Sequence, residues 1–267
     1  MSEIQDKMKD RIIQKLNEIE RIDQVRILHA VESGSRAWGF ASPDSDYDVR
    51  FIYVRDPAFY LRLEKTRDVI EWQLDETLDI NGWDLPKALR LLRKSNPTLF
   101  EWASSPVVYH TTPEWATISA VLPDYFLSKS GIYHYLSMAE GNYREYLKRD
   151  IVKVKKYLYV LRPILACQWI LNKGTPPPML FSTLVAAEAD SALAAEIQKL
   201  LEIKVNAPEK EEMPRIEQLN RFIDETLPVL KAKAEALPIS KQKEWDILNH
   251  LFLDIIKAFY VSIKRLS

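Results

Sequence analysis

The sequence predicts an α+β protein, with a mixed first domain in residues 1–120 and a helical second domain in residues 121–267. Short segments rich in β-branched and aromatic residues occur before residue 120, and such segments are typical of strands. From about Asp124 onward this pattern is absent, and apolar residues recur at helical spacing. The two patterns together place the sheet in the first domain.

The elements of the first domain follow in order along the chain. An N-terminal helix is predicted by five apolar residues at helical spacing, which are Ile4, Met8, Ile12, Leu16 and Ile19. Four segments then predict strands: VRILHAVE, YDVRFIYV, RDVIEWQL and ETLDINGW. The next segment, LPKALRLL, predicts a helix whose N-cap residue is Asp84.

In the second domain, long segments with helical periodicity predict four helices, over residues 131–149, 150–173, 213–237 and 241–266. Residues 204–215 are polar and contain prolines, which is typical of a mobile connection. Cys167 lies in an apolar run, so we expect its thiol to be buried.

Composition and charge narrow the class of protein. The chain has 37 basic and 38 acidic residues and a formal charge of -1, so bulk charge identifies no partner. The N-terminus lacks the apolar core of a signal peptide, and no stretch reaches about 18 uninterrupted apolar residues. We therefore expect a soluble cytoplasmic protein. The four histidines are not spaced as zinc ligands, and a single cysteine cannot form an internal disulfide.

The stretch ESGSRAWGFASPDSDYDVRF, residues 32–51, carries the strongest chemical signal. Gly34 and Ser35 directly follow a predicted strand, so their N–H groups and the hydroxyl are expected to face an anion such as phosphate. Asp46 and Asp48 open the next strand and, being two residues apart, project from the same face. Paired carboxylates of this kind favour Mg²⁺ or Mn²⁺, with substrate phosphates as further ligands.

Each half of this stretch alone also fits an ordinary turn or a solvated acidic loop. Together they form a more specific pattern, Gly-Ser followed by Asp-x-Asp with the first aspartate twelve positions after the glycine. This pattern resembles the polymerase β-like nucleotidyltransferase superfamily. The wider segments GSRAWGFASPDSDYDVRFIYV, LDINGWDLPKALRLLRKSNPTLFEW and KKYLYVLRPILACQWI resemble its RNA repair pathway DNA polymerase beta family, over most of residues 25–185.

The resemblance implies a minimal nucleotidyltransferase fold, which is a short mixed β-sheet with flanking helices, joined to a helical region. It also implies that Gly34 and Ser35 hold phosphate and that Asp46 and Asp48 bind the metal ion. The implied activity is transfer of a nucleoside monophosphate from a Mg²⁺-bound nucleoside triphosphate to a hydroxyl acceptor. An RNA end as the acceptor follows from the family resemblance alone.

A two-metal transfer normally uses a third carboxylate from a neighbouring strand. Glu71, Asp79 and Asp84 are the candidates in the strands that follow. Asp84 has a structural explanation as a helix cap, whereas Asp79 lies between two apolar residues, as the third acid of the superfamily does. We therefore expect Asp46, Asp48 and Asp79 to be the catalytic, metal-binding residues.

The densest basic patch is predicted on one stripe of the helix over 150–173 and the residues before it. The stripe comprises Lys148, Val152, Lys155, Tyr159 and Arg162, with Lys153 and Lys156 beside it. A solvated face is one interpretation of this patch. The resemblance places the helix where related folds hold the triphosphate and base, which makes Lys156, Tyr159 and Arg162 candidate nucleotide-binding residues.

Two further arginines flank the acidic motif. Arg36 and Arg50 are both candidates for neutralising phosphate charge. Arg50 shares the strand face of Asp46 and Asp48, so a role as their structural counter-ion is the alternative.

The predicted function is that of a nucleotidyltransferase that depends on Mg²⁺ or Mn²⁺. Its predicted partners are a nucleoside triphosphate and an acceptor hydroxyl group on RNA or on protein. One alternative is a binding module that senses a nucleotide or an RNA end without turnover. Another is transfer of the nucleotide to a protein side chain. All three predicted metal-binding acids are present in the sequence, which favours an enzyme. The sequence does not determine the acceptor, the base preference or the oligomeric state.

Overall fold

The computed structural model describes residues 3–73, 77–206, 211–239 and 241–264 of the chain. The fold is α+β, as predicted. The first half contains α1 (Glu3–Asp23), β1 (Val25–Glu32), α2 (Gly34–Trp38), β2 (Tyr47–Arg55), α3 (Pro57–Tyr60), β3 (Val69–Gln73), β4 (Leu78–Asp84), α4 (Leu85–Arg93), α5 (Pro97–Ala103), β5 (Val108–Thr111) and α6 (Pro113–Val121). The second half contains α7 (Ser128–Tyr146), β6 (Ile151–Lys153), α8 (Val154–Lys173), α9 (Phe181–Glu188), α10 (Ser191–Asn206), β7 (Glu212–Pro214), α11 (Glu217–Ala236) and α12 (Asp246–Lys264).

The central sheet has five strands in the order β3-β4-β2-β1-β5. Strands β2 and β4 are parallel, and the other neighbours are antiparallel. The four predicted strands are confirmed as β1 to β4. The sequence does not predict the edge strand β5, because its four residues are mostly exposed and show no apolar alternation.

The two faces of the sheet carry different cores, because alternate residues of a strand point to opposite sides. Phe51 and Tyr53 of β2 pack with α1 on one face. Ile52 and Val54 pack with α4, α5, α6 and also α12 on the other. The C-terminal helix thus returns to the sheet, although the predicted division at residue 120 assigns it to the second domain. That division stays a prediction.

Helices α7 to α11 build a separate core around α8, which buries twelve of its side chains. Phe40, which follows α2, packs into this core. The segment that contains the acidic motif therefore lies between the sheet and the helical half. Cys167 of α8 is buried as predicted, and burial raises the pKa of its thiol to about 12.

The prediction of a purely helical second half is wrong at one point. Residues Ile151–Lys153 form β6, which pairs with β7 in a two-stranded antiparallel sheet. Helix α8 therefore begins at Val154 and not at residue 150. Ile151 is exposed and Val152 is buried, an alternation typical of a strand that the adjoining helical pattern hides.

The predicted polar connection over residues 204–215 is largely ordered secondary structure. Helix α10 extends to Asn206, and Glu212–Pro214 form β7. Residues 207–210 of this segment lie outside the described residues. Within the ranges that are described, no helix has the length and apolar character needed to cross a membrane.

Candidate functional site

Asp48 and Asp79 lie side by side at one end of the sheet. Strands β2 and β4 run parallel in a register that aligns these two residues. Arg50 lies between them, because its Nη2 donates to Asp48 Oδ1 at 2.9 Å and to Asp79 Oδ2 at 2.8 Å. The three side chains are 32%, 47% and 18% exposed for Asp48, Asp79 and Arg50. The result is a half-open carboxylate cluster that stabilises positive charge.

Neither of the other two candidates for the third acid is aligned with Asp48. Glu71 is aligned with Asn81, two residues along β4 from Asp79. Asp84 lies at the far end of β4. Of the three candidates, Asp79 is the one that the parallel register places beside Asp48.

Asp84 occupies the predicted N-cap position of α4, but its side chain makes no cap hydrogen bond. Its Oδ1 accepts a hydrogen bond from the Tyr60 hydroxyl at 2.6 Å. The residue is buried, and burial raises the pKa of its carboxyl to about 6. The predicted capping bond is therefore wrong, whereas the predicted structural role of Asp84 agrees with its burial.

Gly34 lies directly against Asp48. Its φ is +59°, in the left-handed region that favours glycine. A Cβ on Gly34 would lie 3.1 Å from Asp48 Cγ and would clash with Oδ2. Both the backbone angle and the close approach thus require glycine at this position. Ser35, the next residue, is mostly buried, so its hydroxyl is largely covered.

Glu32 is a residue of this site that the sequence reasoning missed. It is 1% exposed. Its Oε1 accepts a hydrogen bond from the Asp48 N–H at 2.6 Å, and its Oε2 accepts one from the Tyr109 hydroxyl. Burial raises the pKa of Glu32 to about 7, against the opposing effect of both hydrogen bonds. A lone glutamate at a strand end carries no sequence signal for such a role, because glutamates are mostly solvated.

Asp46 is exposed and lies immediately before β2. Arg36 of α2 holds the backbone here, donating from Nε to Asp46 O at 3.0 Å and from Nη2 to Ser45 O at 2.6 Å. The same guanidinium lies 3.6 Å from the ring centroid of Tyr47. Arg36 is therefore adjacent to the acidic motif, and its use as a phosphate ligand stays a prediction.

A buried lysine from α10 supports the same loop. Lys204 is 2% exposed, and its Nζ donates to Ser42 Oγ at 2.6 Å. Ser42 N–H in turn donates to Ser45 Oγ at 2.9 Å. Lys204 lies in the segment predicted as a polar connection, and no local pattern indicates its contact with a serine 162 residues away.

The predicted basic stripe does not form as a single helical face. Lys148 and Val152 both precede α8, and Lys148 forms an ion pair with Asp224 at 2.9 Å. Lys156 and Tyr159 do lie on α8, where Lys156 Nζ is 5.4 Å from the Tyr159 ring centroid. These two residues remain candidates for contact with a nucleotide.

Arg162 is buried, whereas a residue that binds phosphate must be exposed. Its predicted role as a nucleotide-binding residue is therefore wrong. Arg162 is 1% exposed, and its Nη1 donates to Glu101 Oε1 at 2.8 Å. The Tyr135 hydroxyl donates to the same oxygen at 2.9 Å. The guanidinium also lies 4.5 Å from the ring centroid of Trp38, whose ring meets Tyr159 edge-on. Arg162 therefore joins α2 and α5 to the helical core, which is a structural role.

A cavity of about 410 Å³ opens on the α1 side of the sheet. Its wall includes Glu32, Arg36, Tyr47 and Tyr109. Asp48 points to the opposite face of β2 from Tyr47, because neighbouring side chains of a strand alternate. The cavity and the Asp48 carboxylate therefore lie on opposite faces of the sheet.

The predicted metal site consists of three carboxylates, those of Asp46, Asp48 and Asp79. In the described part of the chain, no group of three His, Cys, Asp or Glu side chains is close enough together to hold a metal ion. The donor type nevertheless fits Mg²⁺, which prefers carboxylate oxygens. Asp48 and Asp79 already share one cation, the Arg50 guanidinium. Metal binding by Asp46, Asp48 and Asp79 stays a proposal.

Comparisons with known proteins identify the family. The chain matches the RNA repair pathway DNA polymerase beta family over residues 8–254. It is 46% identical over 257 residues to the uncharacterized protein YcgL of Bacillus subtilis (strain 168), covering 95% of this chain and 98% of that protein. A nucleotidyltransferase-like protein from Exiguobacterium sibiricum 255-15 shares 14% identity, with 86% of this chain and 75% of that chain covered and a TM-score of 0.31. The extent of the family match and of the identity to YcgL shows that the chain belongs to the RNA repair pathway DNA polymerase beta family.

Proposed function

We propose that this protein transfers a nucleoside monophosphate from a metal-bound nucleoside triphosphate to a hydroxyl group at an RNA end. The observation that carries the proposal is the alignment of Asp48 with Asp79 beside Gly34. Asp48 and Asp79 are 31 residues apart in the sequence. The parallel register of β2 and β4 aligns them side by side. The family description supports RNA as the acceptor.

The carboxylates of Asp46, Asp48 and Asp79 would hold Mg²⁺ or Mn²⁺, which would neutralise phosphate charge and lower the pKa of the attacking hydroxyl. The other roles fall to polar groups nearby. Gly34 and Ser35 would hold the triphosphate through their backbone N–H groups. Arg36 and Lys156 would add positive charge, and Tyr159 would stack on the base.

The proposed reaction is a substitution at the α-phosphorus. The acceptor hydroxyl oxygen forms a bond to this phosphorus, and the bond to the bridging oxygen of the pyrophosphoryl group breaks. Pyrophosphate leaves, and the hydroxyl proton is released. Most of the rate acceleration would come from positioning and charge neutralisation, because phosphoryl chemistry needs little covalent participation by the protein.

The direct test incubates the purified protein with each of the four labelled nucleoside triphosphates, Mg²⁺ or Mn²⁺, and total RNA or a cell lysate. We expect label on RNA and release of one pyrophosphate per nucleotide transferred. Label on protein would instead support transfer to a side chain. Triphosphate binding without any labelled product in either mixture would support a binding module.

The same assay tests the choice of third acid. Asp79→Ala should eliminate transfer while triphosphate affinity is largely kept, because Asp46, Asp48 and the Gly34-Ser35 turn remain. Glu71→Ala is the matched control and should leave transfer close to the wild-type rate. Loss of transfer in the Glu71 variant with Asp79→Ala still active would contradict the assignment.

A further inference from the structure

We infer that Glu32 is a positioning residue for Asp48, and that its buried carboxylate fixes the backbone from which this acid projects. The relevance of Glu32 to catalysis rests on the proposed metal-binding role of Asp48. Glu32 itself is assigned no contact with a substrate.

The Asp48 N–H points away from β4 and toward β1. Successive N–H groups of a strand point to opposite sides. Tyr47 N–H donates to Thr77 O at 2.7 Å, on the β4 side of β2. The next N–H, that of Asp48, therefore points toward β1. Strand β1 ends at Glu32, whose register partner is Val49, and beyond it Ser33 N–H still donates to Asp48 O at 2.8 Å.

The acceptor for the Asp48 N–H is the side chain of Glu32. Its Oε1 accepts from the Asp48 N–H at 2.6 Å, which is short for a hydrogen bond from an amide to a carboxylate. A buried N–H that loses its acceptor carries a desolvation penalty. Glu32 thus keeps the Asp48 backbone paired where the regular sheet ends.

Three consecutive residues, Glu32, Ser33 and Gly34, contact Asp48. Glu32 accepts from its N–H, Ser33 N–H donates to its carbonyl at 2.8 Å, and Gly34 lies against its carboxylate. The backbone on both sides of Asp48 and its side chain are therefore located by one short segment. This continuity couples the Gly-Ser turn directly to the acid.

Glu32 is itself held in place from the other side. Its Oε2 accepts from the Tyr109 hydroxyl of β5. Its backbone N–H donates to Val107 O at 2.9 Å, and its carbonyl accepts from Ser105 Oγ at 2.6 Å. Glu32 is thus held through its backbone N–H, its backbone carbonyl and its second carboxylate oxygen, which leaves Oε1 fixed toward Asp48. Removal of a partner that supports a metal ligand typically costs about 10-fold to 100-fold in metal affinity.

The far end of the sheet provides a matched control. Asp84 is also a buried carboxylate that accepts from a tyrosine hydroxyl, that of Tyr60. It is aligned with Tyr53, whereas Asp79 is aligned with Asp48, so the two ends are roughly 16 Å apart along the strands. Tyr60→Phe therefore removes the same kind of hydrogen bond as Tyr109→Phe at a distance from the acids.

The test compares the wild-type protein with four full-length variants: Glu32→Leu, Glu32→Gln, Tyr109→Phe and Tyr60→Phe. Two quantities are measured: hydrogen exchange of the Asp48 amide by NMR, and Mn²⁺ affinity by titration calorimetry. We expect Glu32→Leu to accelerate Asp48 exchange and to weaken Mn²⁺ binding at least about tenfold. Glu32→Gln keeps an oxygen acceptor for the N–H, and it should stay within about threefold of the wild type.

Each outcome decides one statement. Unchanged Asp48 exchange or unchanged Mn²⁺ affinity in Glu32→Leu would overturn the inference. If wild-type protein binds no Mn²⁺, the metal part of the proposed function fails, and Asp48 exchange alone decides whether Glu32 fixes this backbone. If Glu32→Leu does not fold, the tyrosine variants decide. Tyr109→Phe should then weaken Mn²⁺ binding more than Tyr60→Phe does, and equal effects would overturn the inference.

Discussion

Two arginine–carboxylate centres in this molecule have similar bond lengths and very different surroundings. In the sheet, Arg50 lies 2.9 Å and 2.8 Å from the oxygens of Asp48 and Asp79, and the three side chains are partly exposed. Between the sheet half and the helical half, Arg162 lies 2.8 Å from Glu101, with side-chain exposures of 2% and 13%. The sheet centre has two acids for one base, whereas the interior centre pairs one with one.

The difference follows from solvation. An exposed ion pair is screened by water and contributes little to stability, so its members remain available to a ligand. A buried pair has already been desolvated, and removing one partner leaves an uncompensated charge inside the protein. The comparison therefore separates a centre available for chemistry from one that holds the fold together.

The largest effect is expected at the interior centre. Glu101→Gln should lower the free energy of unfolding by about 3 kcal/mol, because the Arg162 charge would lose its buried partner. Urea-induced unfolding at neutral pH measures the change. The double substitution of Leu for Glu101 and Met for Arg162 should recover part of the loss, and a double variant less stable than Glu101→Gln would contradict this explanation.

The sheet centre should show the opposite division between function and stability. Asp48→Asn should lower nucleotide transfer by at least about a hundredfold, since a metal-binding carboxylate is lost. Its free energy of unfolding should change by less than about 1 kcal/mol, because the pair with Arg50 is partly exposed. Transfer assays and urea unfolding of the same preparation measure both. Unfolding of this variant would mean that the acid is structural.

A buried histidine of β1, His29, extends the comparison. His29 is 5% exposed and stacks on Trp115 at 4.3 Å between ring centroids. Its Nε2 has no hydrogen-bond partner among the described residues. Burial lowers the pKa of His29 to about 4, from an ordinary value of 6.5. The unfolded chain therefore binds more protons than the folded one between these two values.

Stability due to His29 is thus complete above pH 6.5 and is lost as the pH falls toward 4. We expect a loss of about 2 kcal/mol between pH 7.5 and pH 5 from this residue. His29→Phe keeps the ring stacking and should lack this contribution. The measurement is the difference in unfolding free energy between the two proteins across the pH range, and a constant difference would contradict the assignment.

The smallest effect concerns the glycine beside the acids. Gly34 and Gly174 both have positive φ, +59° and +68°, so alanine at either position should cost about 1 kcal/mol. A Cβ on Gly34 also meets Asp48, whereas one on Gly174 meets nothing within 4 Å. Gly34→Ala should therefore destabilise the protein by about 1 kcal/mol more than Gly174→Ala. It should also reduce transfer, and equal effects of the two variants would remove the special role of Gly34.

Local patterns predicted much of this fold because they depend on neighbouring residues. Segments rich in β-branched and aromatic residues marked β1 to β4, and the Gly-Ser turn was placed correctly at the end of β1. The short strand β6 was absorbed into the helix prediction, since Val152 fits both periodicities. Lys148 and Val152 were thereby placed on a helical stripe that does not exist.

By itself, the sequence determined the α+β class, the Gly34-Ser35 turn, and the placement of Asp48 at the start of β2. These features follow from backbone angles and side-chain alternation, which act within a few residues. The sequence also placed Asp46 in this strand, whereas β2 begins at Tyr47 and Asp46 lies just before it. Only the tertiary structure decided that Asp79 lies beside Asp48, that Glu32 supports this acid, and that Arg162 is buried. Strand register and burial depend on segments far apart in the chain, so no local pattern encodes them.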